Sequence, residues 1–278
     1  MCRIFAFRSI LQSKVHSSLV SAENALGKQG INHPDGWGVA FYNENIPHII
    51  KSSKSAFDNQ IFKKVSGVVS SQTVLAHIRK ATKGNINILN THPFQYGKWS
   101  FIHNGNINNF NKHRKKLVKL IDSKYLPFIL GDTDSEVIFF IILSYLNFNY
   151  HDEIKNALID ITNIIGPLEY SSKGSDGNYI TFVMTNGTDF IGFQGGKKLY
   201  YSTYKKLCAE RDICPEFSES CEKEAVNGQK IKHLLFSSSP INFYKDDLQF
   251  NNSWKSIKDS EIISIDQEFI LKKSTIII

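Results

Sequence analysis

The sequence predicts an α+β layered domain rather than a parallel doubly wound sheet. Runs rich in β-branched and aromatic residues dominate residues 2–103, helical periodicity fills 108–165, and β-rich runs return between 179 and 265. The chain has 278 residues, 41% of them hydrophobic and 21% charged, an ordinary composition for a protein that buries a full core.

The first element, residues 2–8 (CRIFAFR), reads as a buried strand, unusual so near a chain end because termini normally fray. Residues 16–26 carry Leu19, Ala22 and Leu26 on one face ahead of Gly27 and Gly30, which predicts a short helix with a glycine stop. Strands are predicted at 37–42 (WGVAFY), 47–51, 73–79 (TVLAHIR) and 99–103 (WSFIH). Among them Phe57, Ile61, Phe62 and Val65 mark an amphipathic helix. Three helices follow at 108–121, 134–148 and 152–165, the last closed by Gly166 and Pro167. Strands then resume at 179–185, 190–193, 198–202, 233–237 and 262–265, and the polar stretch 209–232 (Ala209 to Lys232) is expected to be a long irregular loop. No repeat or low-complexity linker divides the chain, so residues 1–278 are read as one domain, with a motif-bearing core at 1–150 and closing strands plus a variable loop at 151–278.

Composition narrows the function classes. The longest greasy run, 137–148, contains Ser144, Tyr145 and Asn147 and reads as a buried helix rather than a membrane span. Arg3 and Arg8 precede no apolar segment of signal-peptide length, so a cytoplasmic location is expected. Cys2, Cys208, Cys214 and Cys221 form neither a disulfide framework nor a usual zinc spacing, and unpaired thiols suit a reducing compartment. The net charge of +7 peaks at 112–119 (KHRKKLVK), yet Leu117, Leu120 and Ile121 fall at helical spacing there. That basic patch therefore reads as a solvated helix face, not a nucleic-acid site.

Five segments carry residue types better suited to chemistry than to packing: Met1-Cys2-Arg3, HIRKAT (77–82), NTHPF (90–94), HNGN (103–106) and GDTDSE (131–136). Removal of Met1 would leave Cys2 bearing both a thiol and an α-amine of reference pKa about 7.7–8.0, able to take the thiol proton directly or through water. Taken alone, Cys2 reads first as a small residue that packs or permits removal of Met1. Asn104 and Gly105 are expected at a strand-to-turn transition, where an amide side chain and a backbone N–H converge as oxyanion donors, although Asn-Gly alone is a common turn. Arg79, with Thr82 close behind, offers a two-pronged carboxylate contact; alone it is a surface arginine. Asp134 opens a hydrophobic helix, where Asp is first of all a cap and secondly an anion able to hold an ammonium. A carboxylate clamp with an ammonium clamp describes the α-carbon end of a free amino acid.

In this order MCRIFAF, DGWGVAFY, LAHIRKAT, NTHPF, HNGNI and GDTDSE resemble the class II glutamine amidotransferases, most closely the single-domain group that includes glutathione-degrading amidotransferase components and the γ-glutamyl hydrolases of ergothioneine synthesis. The motifs span residues 1–150. HLLFSSSPI and SWKSIKDSEIISID resemble the group's closing strands, and 209–232 has no counterpart. The resemblance implies a four-layer αββα N-terminal-nucleophile hydrolase fold with two packed antiparallel sheets. It carries over Cys2 as nucleophile and base, Arg79 and Thr82 as contacts for the substrate carboxylate, Asn104 and Gly105 as the oxyanion hole, and Asp134 as partner of the substrate amine. His77 and His92 take supporting roles. Larger relatives often have tryptophan after the family arginine; Lys80 here removes any aromatic lid from that position.

The implied reaction is cleavage of the γ-amide of glutamine or of a γ-glutamyl compound through a Cys2 thioester, needing no metal or organic cofactor. Because 278 residues are expected to leave no room for a synthase domain, two arrangements stay open: a glutaminase subunit feeding a separate ammonia-accepting partner, or a stand-alone γ-glutamyl hydrolase. Bile-acid and penicillin amidases also begin Met-Cys, but their apolar acyl groups have no use for Arg79 and Asp134. A catalytically inactive binding protein on the same fold is the remaining alternative; neither a nucleic-acid nor a membrane partner is expected.

Overall fold

A computed structural model describes residues 2–82, 84–170, 177–206, 208, 211–241, 243–245 and 248–277. Met1, whose removal the sequence reading calls for, lies outside the described residues, as do Ala209 and Glu210 of the predicted loop.

Alternation along the first strand, Arg3–Lys14, organises the molecule. Successive side chains of a strand point to opposite faces, so Ile4 and Ala6 enter one core while Phe5 and Phe7 enter another. Both faces are buried, which is why the segment reads as an unbroken apolar run. The strand pairs antiparallel with Ser70–Ile78 on one side and His233–Ser237 on the other, with Arg3 opposite Ile78.

Among the described residues the full order of this sheet is Lys255–Ser256, Tyr200–Ser202, His233–Ser237, Arg3–Lys14, Ser70–Ile78, Trp37–Asn43, Ile46–Ser52. A second sheet runs Leu271–Thr275, Glu261–Ile265, Phe190–Phe193, Tyr179–Thr185, Trp99–Asn106, Phe94–Tyr96. Every pairing within both is antiparallel. The sheets stack face to face over a shared core in which Ile4, Leu75 and Phe236 of one meet Ile102, Val183 and Ile263 of the other. The second sheet's outer face, including Phe101 and Phe182, packs on helices Phe110–Val118, Asp134–Tyr145 and Tyr150–Ile165. On the first sheet's outer face Trp37 meets Phe62 of helix Gln60–Val68, ring edge to ring at 5.1 Å. The result is the predicted α+β layering, two antiparallel sheets flanked by helices. A small third sheet joins Lys205–Lys206, Leu248–Asn252 and Phe243–Lys245.

Helix Asp134–Tyr145 is buried almost all round, from Asp134 to Leu143. Its amphipathicity is correspondingly slight, as expected of a helix enclosed between layers. Thr133 caps it, accepting from the Glu136 N–H at 3.3 Å, so Asp134 sits one residue inside the helix rather than serving as the cap. The basic helix Phe110–Val118 buries Phe110 and Leu117 and turns Lys115 and Lys116 outward, as its periodicity predicts. No helix among the described residues is long and apolar enough to cross a membrane.

Three expectations are corrected. Residues 16–26 form no continuous helix; a π-type turn, Ser17–Ser21, precedes a separate helical turn, Leu26–Gln29. Leu19, Ala22 and Leu26 still bury together, but serines compete for backbone hydrogen bonds and weaken a short helix. Phe57 and Ile61 are exposed rather than part of an apolar helix face. Asn104 and Gly105 do not lie at a strand end: the strand runs Trp99–Asn106, with Gly105 opposite Ile180 and Asn106 opposite Tyr179. Glycine is required there by close approach, because a Cβ would collide with the Tyr179 carbonyl and the His103 ring.

Candidate active site

The site forms where Cys2 precedes the central strand Arg3–Lys14. The neighbouring strand ends at Ile78 opposite Arg3, so the chain leaving it, Arg79-Lys80, passes alongside Cys2. The Lys80 N–H donates to Cys2 Sγ at 3.4 Å, and the Lys80 carbonyl lies 3.6 Å from the same sulfur. Burial pushes the thiol pKa up, opposed by the Lys80 N–H and the positive charge of Arg79.

A small cavity, about 20 Å³, opens beside the sulfur. Of the residues expected to act together it gathers Cys2, Arg79, Thr82, His92, Gly105 and Asp134. Asn104 and His77 do not line it. Asn104 instead lines a second cavity of about 560 Å³. Its amide makes no hydrogen bond to a described residue, and Oδ1 is buried without a partner.

Arg79 is buried and held by the loop that follows it: Nη1 donates to the Asn85 carbonyl at 3.1 Å and Nη2 to the Gly84 carbonyl at 3.4 Å. Its backbone is fixed by reciprocal bonds with the Asp35-Gly36 turn, Asp35 N–H to Arg79 carbonyl and Arg79 N–H to Gly36 carbonyl. Asp35 Oδ2 also accepts from the Ala81 N–H at 2.8 Å. The DGWG segment therefore positions the arginine. Asp134, also buried, accepts from the Ile107 N–H at 2.6 Å and the Ser135 N–H at 2.8 Å, which keeps its carboxylate satisfied beside the cavity.

Three buried histidines cluster beside the site, and one of them, His77, bonds across the two sheets. His77 Nε2 lies 3.1 Å from the His103 carbonyl, and a carbonyl only accepts, so Nε2 carries the proton and donates across the sheets. The same logic makes His103 Nε2 the donor to the Tyr179 carbonyl at 3.2 Å, leaving Nδ1 to accept from Ser135 Oγ at 2.8 Å. The His92 ring lies tilted against that of His77, centroids 4.2 Å apart, with both its nitrogens buried and unpartnered among the described residues. Burial holds His77 down to about 3 and His92 well below its usual value, so these rings are neutral.

This neutrality sets a pH window. His77 and His233 both fall to about 3 in the folded chain from an unfolded value near 6.5, so the unfolded chain binds more protons in between. Their contribution is fully present above pH ~6.5 and is lost as pH falls from there towards 3, about 2 kcal/mol per histidine by pH 5. The urea midpoint is therefore expected to be clearly lower at pH 5 than at pH 7.5, and His77→Phe, which cannot titrate, should narrow the gap. Equal midpoints at the two pH values would contradict neutral burial.

Sequence reasoning missed His103, Thr133, Ser135 and the Lys80 backbone, all on the cavity wall. His103 and Ser135 lay within HNGN and GDTDSE. Their pairing across 32 residues is a tertiary fact with no local signal.

Stacked antiparallel sheets between helical layers, with a cysteine leading the central strand, are consistent with the N-terminal-nucleophile hydrolase class. The chain belongs to the class II glutamine amidotransferases, whose family model matches residues 1–266. It is 33% identical to the probable glutamine amidotransferase DUG3 of Saccharomyces cerevisiae over 164 residues, 53% of this chain and 46% of that protein. It is 31% identical over 252 residues to an uncharacterized protein of Methanocaldococcus jannaschii, covering 86% of this chain and 63% of that one. The chain thus spans about half to two thirds of the curated relatives it matches. A glutamine aminotransferase class-II domain protein from Silicibacter pomeroyi shares the fold with a TM-score of 0.62 at 17% identity, covering 99% of both chains.

Proposed function

We propose that this chain cleaves the γ-amide of glutamine or of a γ-glutamyl compound through a γ-glutamyl thioester on Cys2, releasing glutamate and ammonia or an amine. The observation that carries the reading is one cavity that places the Cys2 sulfur with a guanidinium, Arg79, and a carboxylate, Asp134. Those two charges suit the α-carboxylate and α-ammonium of a free glutamyl group.

In the proposed cycle Met1 is absent from the mature chain, and the Cys2 amine takes the thiol proton as sulfur attacks the γ-carbonyl. Asn104 and the Gly105 N–H receive the developing oxyanion. The C–N bond breaks as the ammonium returns its proton to the leaving nitrogen, and water, deprotonated by the neutral amine, then splits the C–S bond. Thr82 sits beside Arg79 as a second carboxylate contact, while His77 and His92 support the wall. Arg79 is engaged by the Gly84 and Asn85 carbonyls, which fix where its guanidinium lies.

Arg79→Gln and Asp134→Asn are each expected to raise KM about 10- to 50-fold, the worth of one charged hydrogen-bonded contact, with a smaller change in kcat. Unchanged KM in both variants would remove the amino-acid clamp from the reading. The direct test is mass-spectrometric screening of purified protein against glutamine and γ-glutamyl peptides, with intact-mass measurement of the mature N-terminus. Inertness towards every substrate, or a retained Met1, would favour an inactive protein on the same fold. Glutamine turnover alone would favour a glutaminase subunit feeding a separate synthase.

A further inference from the structure

The NTHPF segment gives His92 to the site, yet its first residue, Asn90, is the more heavily bonded. Asn90 closes the loop 84–90 that follows Arg79, in which Gly84, Asn85, Ile86, Ile88 and Leu89 face solvent while Asn90 is buried, 1% exposed. A buried amide needs its polar atoms satisfied. Here Nδ2 donates to the Asn85 carbonyl at 3.0 Å and to Asp132 Oδ1, and Oδ1 accepts from the Asp132 N–H at 3.0 Å. Asn90 and Asp132 thus bond reciprocally across 42 residues.

Those bonds lead to both charges of the candidate site. The Asn85 carbonyl that accepts from Asn90 also accepts from Arg79 Nη1 at 3.1 Å, so one oxygen joins the amide to the guanidinium. Asp132 lies just ahead of Thr133, the cap of the helix that begins at Asp134. Glu136 holds the same segment from the helix side, accepting from the Leu130 N–H at 3.1 Å and the Gly131 N–H at 2.7 Å. Arg79 follows a strand of the first sheet, whereas Asp134 opens a helix packed on the second. The Asn90 amide spans the two. Glycines make room for it: a Cβ on Gly84 would strike Asp132 Oδ1, and one on Gly131 would strike Asn90 Oδ1.

We infer that Asn90, clasped to Asp132, is a positioning residue that holds Arg79 and Asp134 at the separation an amino acid's α-carboxylate and α-ammonium require, and so sets the reach from that end of the substrate to Cys2 Sγ. Neither Asn90 nor Asp132 lines the cavity. Their effect passes through the Asn85 carbonyl and the helix start. The inference rests on the γ-glutamyl reading above and adds to it the element that makes the clamp rigid; a misplacement of about 1 Å from a change outside the chemistry can cost ~100-fold.

The test labels Cys2 with two chloroketones and follows each by intact mass and peptide mapping. One is the glutamine-like 2-amino-4-oxo-5-chloropentanoate; the other, chloroacetone, lacks the amino-acid end. In both, the sulfur forms a C–S bond as the C–Cl bond breaks and chloride leaves. A change in thiol exposure or reactivity moves both rates together, so their ratio reads the clamp alone. The native ratio is expected to exceed about 100, the worth of two charged contacts. Asn90→Ala and Asp132→Ala should each lower it about 10-fold, and the double variant should fall no further, because both changes cut the same link. Asp132→Asn, which keeps an oxygen to accept from Asn90, should stay within about 3-fold of native. Asp132 is exposed, so its variants carry the test even where Asn90→Ala does not fold. A native ratio retained in Asp132→Ala, additive losses in the double variant, or a loss in Asp132→Asn equal to that in Asp132→Ala would overturn the inference while leaving the γ-glutamyl reading in place. A native ratio near one would overturn both.

Discussion

Cys2→Ala is expected to lower kcat/KM for the preferred γ-glutamyl substrate on the order of 10⁶-fold, the loss typical when a covalent nucleophile is removed. Stability should barely change. Cys2 lies just outside the first strand, only half-buried, and among the described residues the hydrogen bonds of its sulfur are to the Lys80 backbone. Truncation therefore removes one atom from the edge of a cavity rather than a piece of the core. The thiol pKa is raised by burial, so the resting sulfur is protonated and needs a base within reach. No hydrogen bond joins it to a histidine among the described residues, and burial lowers the pKa of His77, His92 and His103. In the proposed mechanism the base is the Cys2 α-amine, and acetylating it should silence turnover as completely as removing the sulfur. A glutamine-mimicking electrophile should add one mass increment, mapped to Cys2 and absent from Cys2→Ala. Full activity in Cys2→Ala, or an adduct on Cys208, Cys214 or Cys221, would refute the assignment.

Legibility in the sequence followed locality. The central strands announced themselves because Phe5, Phe7, Val74 and Ala76 alternate with residues that are also buried, giving apolar runs with no polar face to confuse the period. The closing strand Leu271–Thr275 gave no such signal. It is an edge strand whose Lys272, Ser274 and Thr275 face outward, and edges protected by charge read as loops. The α+β layering followed from the succession of elements and the αββα order from the family resemblance, but neither the helical face of each sheet nor the bridge from His77 to the His103 carbonyl could be read from spacing. The candidate site shows the same division. Cys2, Arg79, Gly105 and Asp134 stood out by residue type and do share one cavity. That Asn104 turns towards a different cavity depends on its being inside a strand, where neighbours Asn104 and Gly105 must point opposite ways.

That alternation makes Asn104→Ala the sharpest test of the oxyanion proposal. In a strand-end turn, Asn104 could swing aside; within Trp99–Asn106, paired with Thr181, its backbone is fixed and it lines the larger cavity. Its Oδ1 is buried with no partner among the described residues, and in the proposed role the oxyanion accepts from the amide Nδ2–H. Removing it should therefore cost little stability, because no hydrogen bond to a described residue is lost. The catalytic effect should be large: a 10²- to 10³-fold fall in kcat with KM nearly unchanged, the behaviour of a donor whose partner is charged only in the transition state. A merely structural asparagine would show the reverse, a lowered melting temperature with kcat retained. Asn104→Asp sharpens the contrast, since a carboxylate at the same place repels the oxyanion and should be no better than alanine. A kcat within 5-fold of the native value in Asn104→Ala would leave the Gly105 N–H, and not this side chain, to hold the charge.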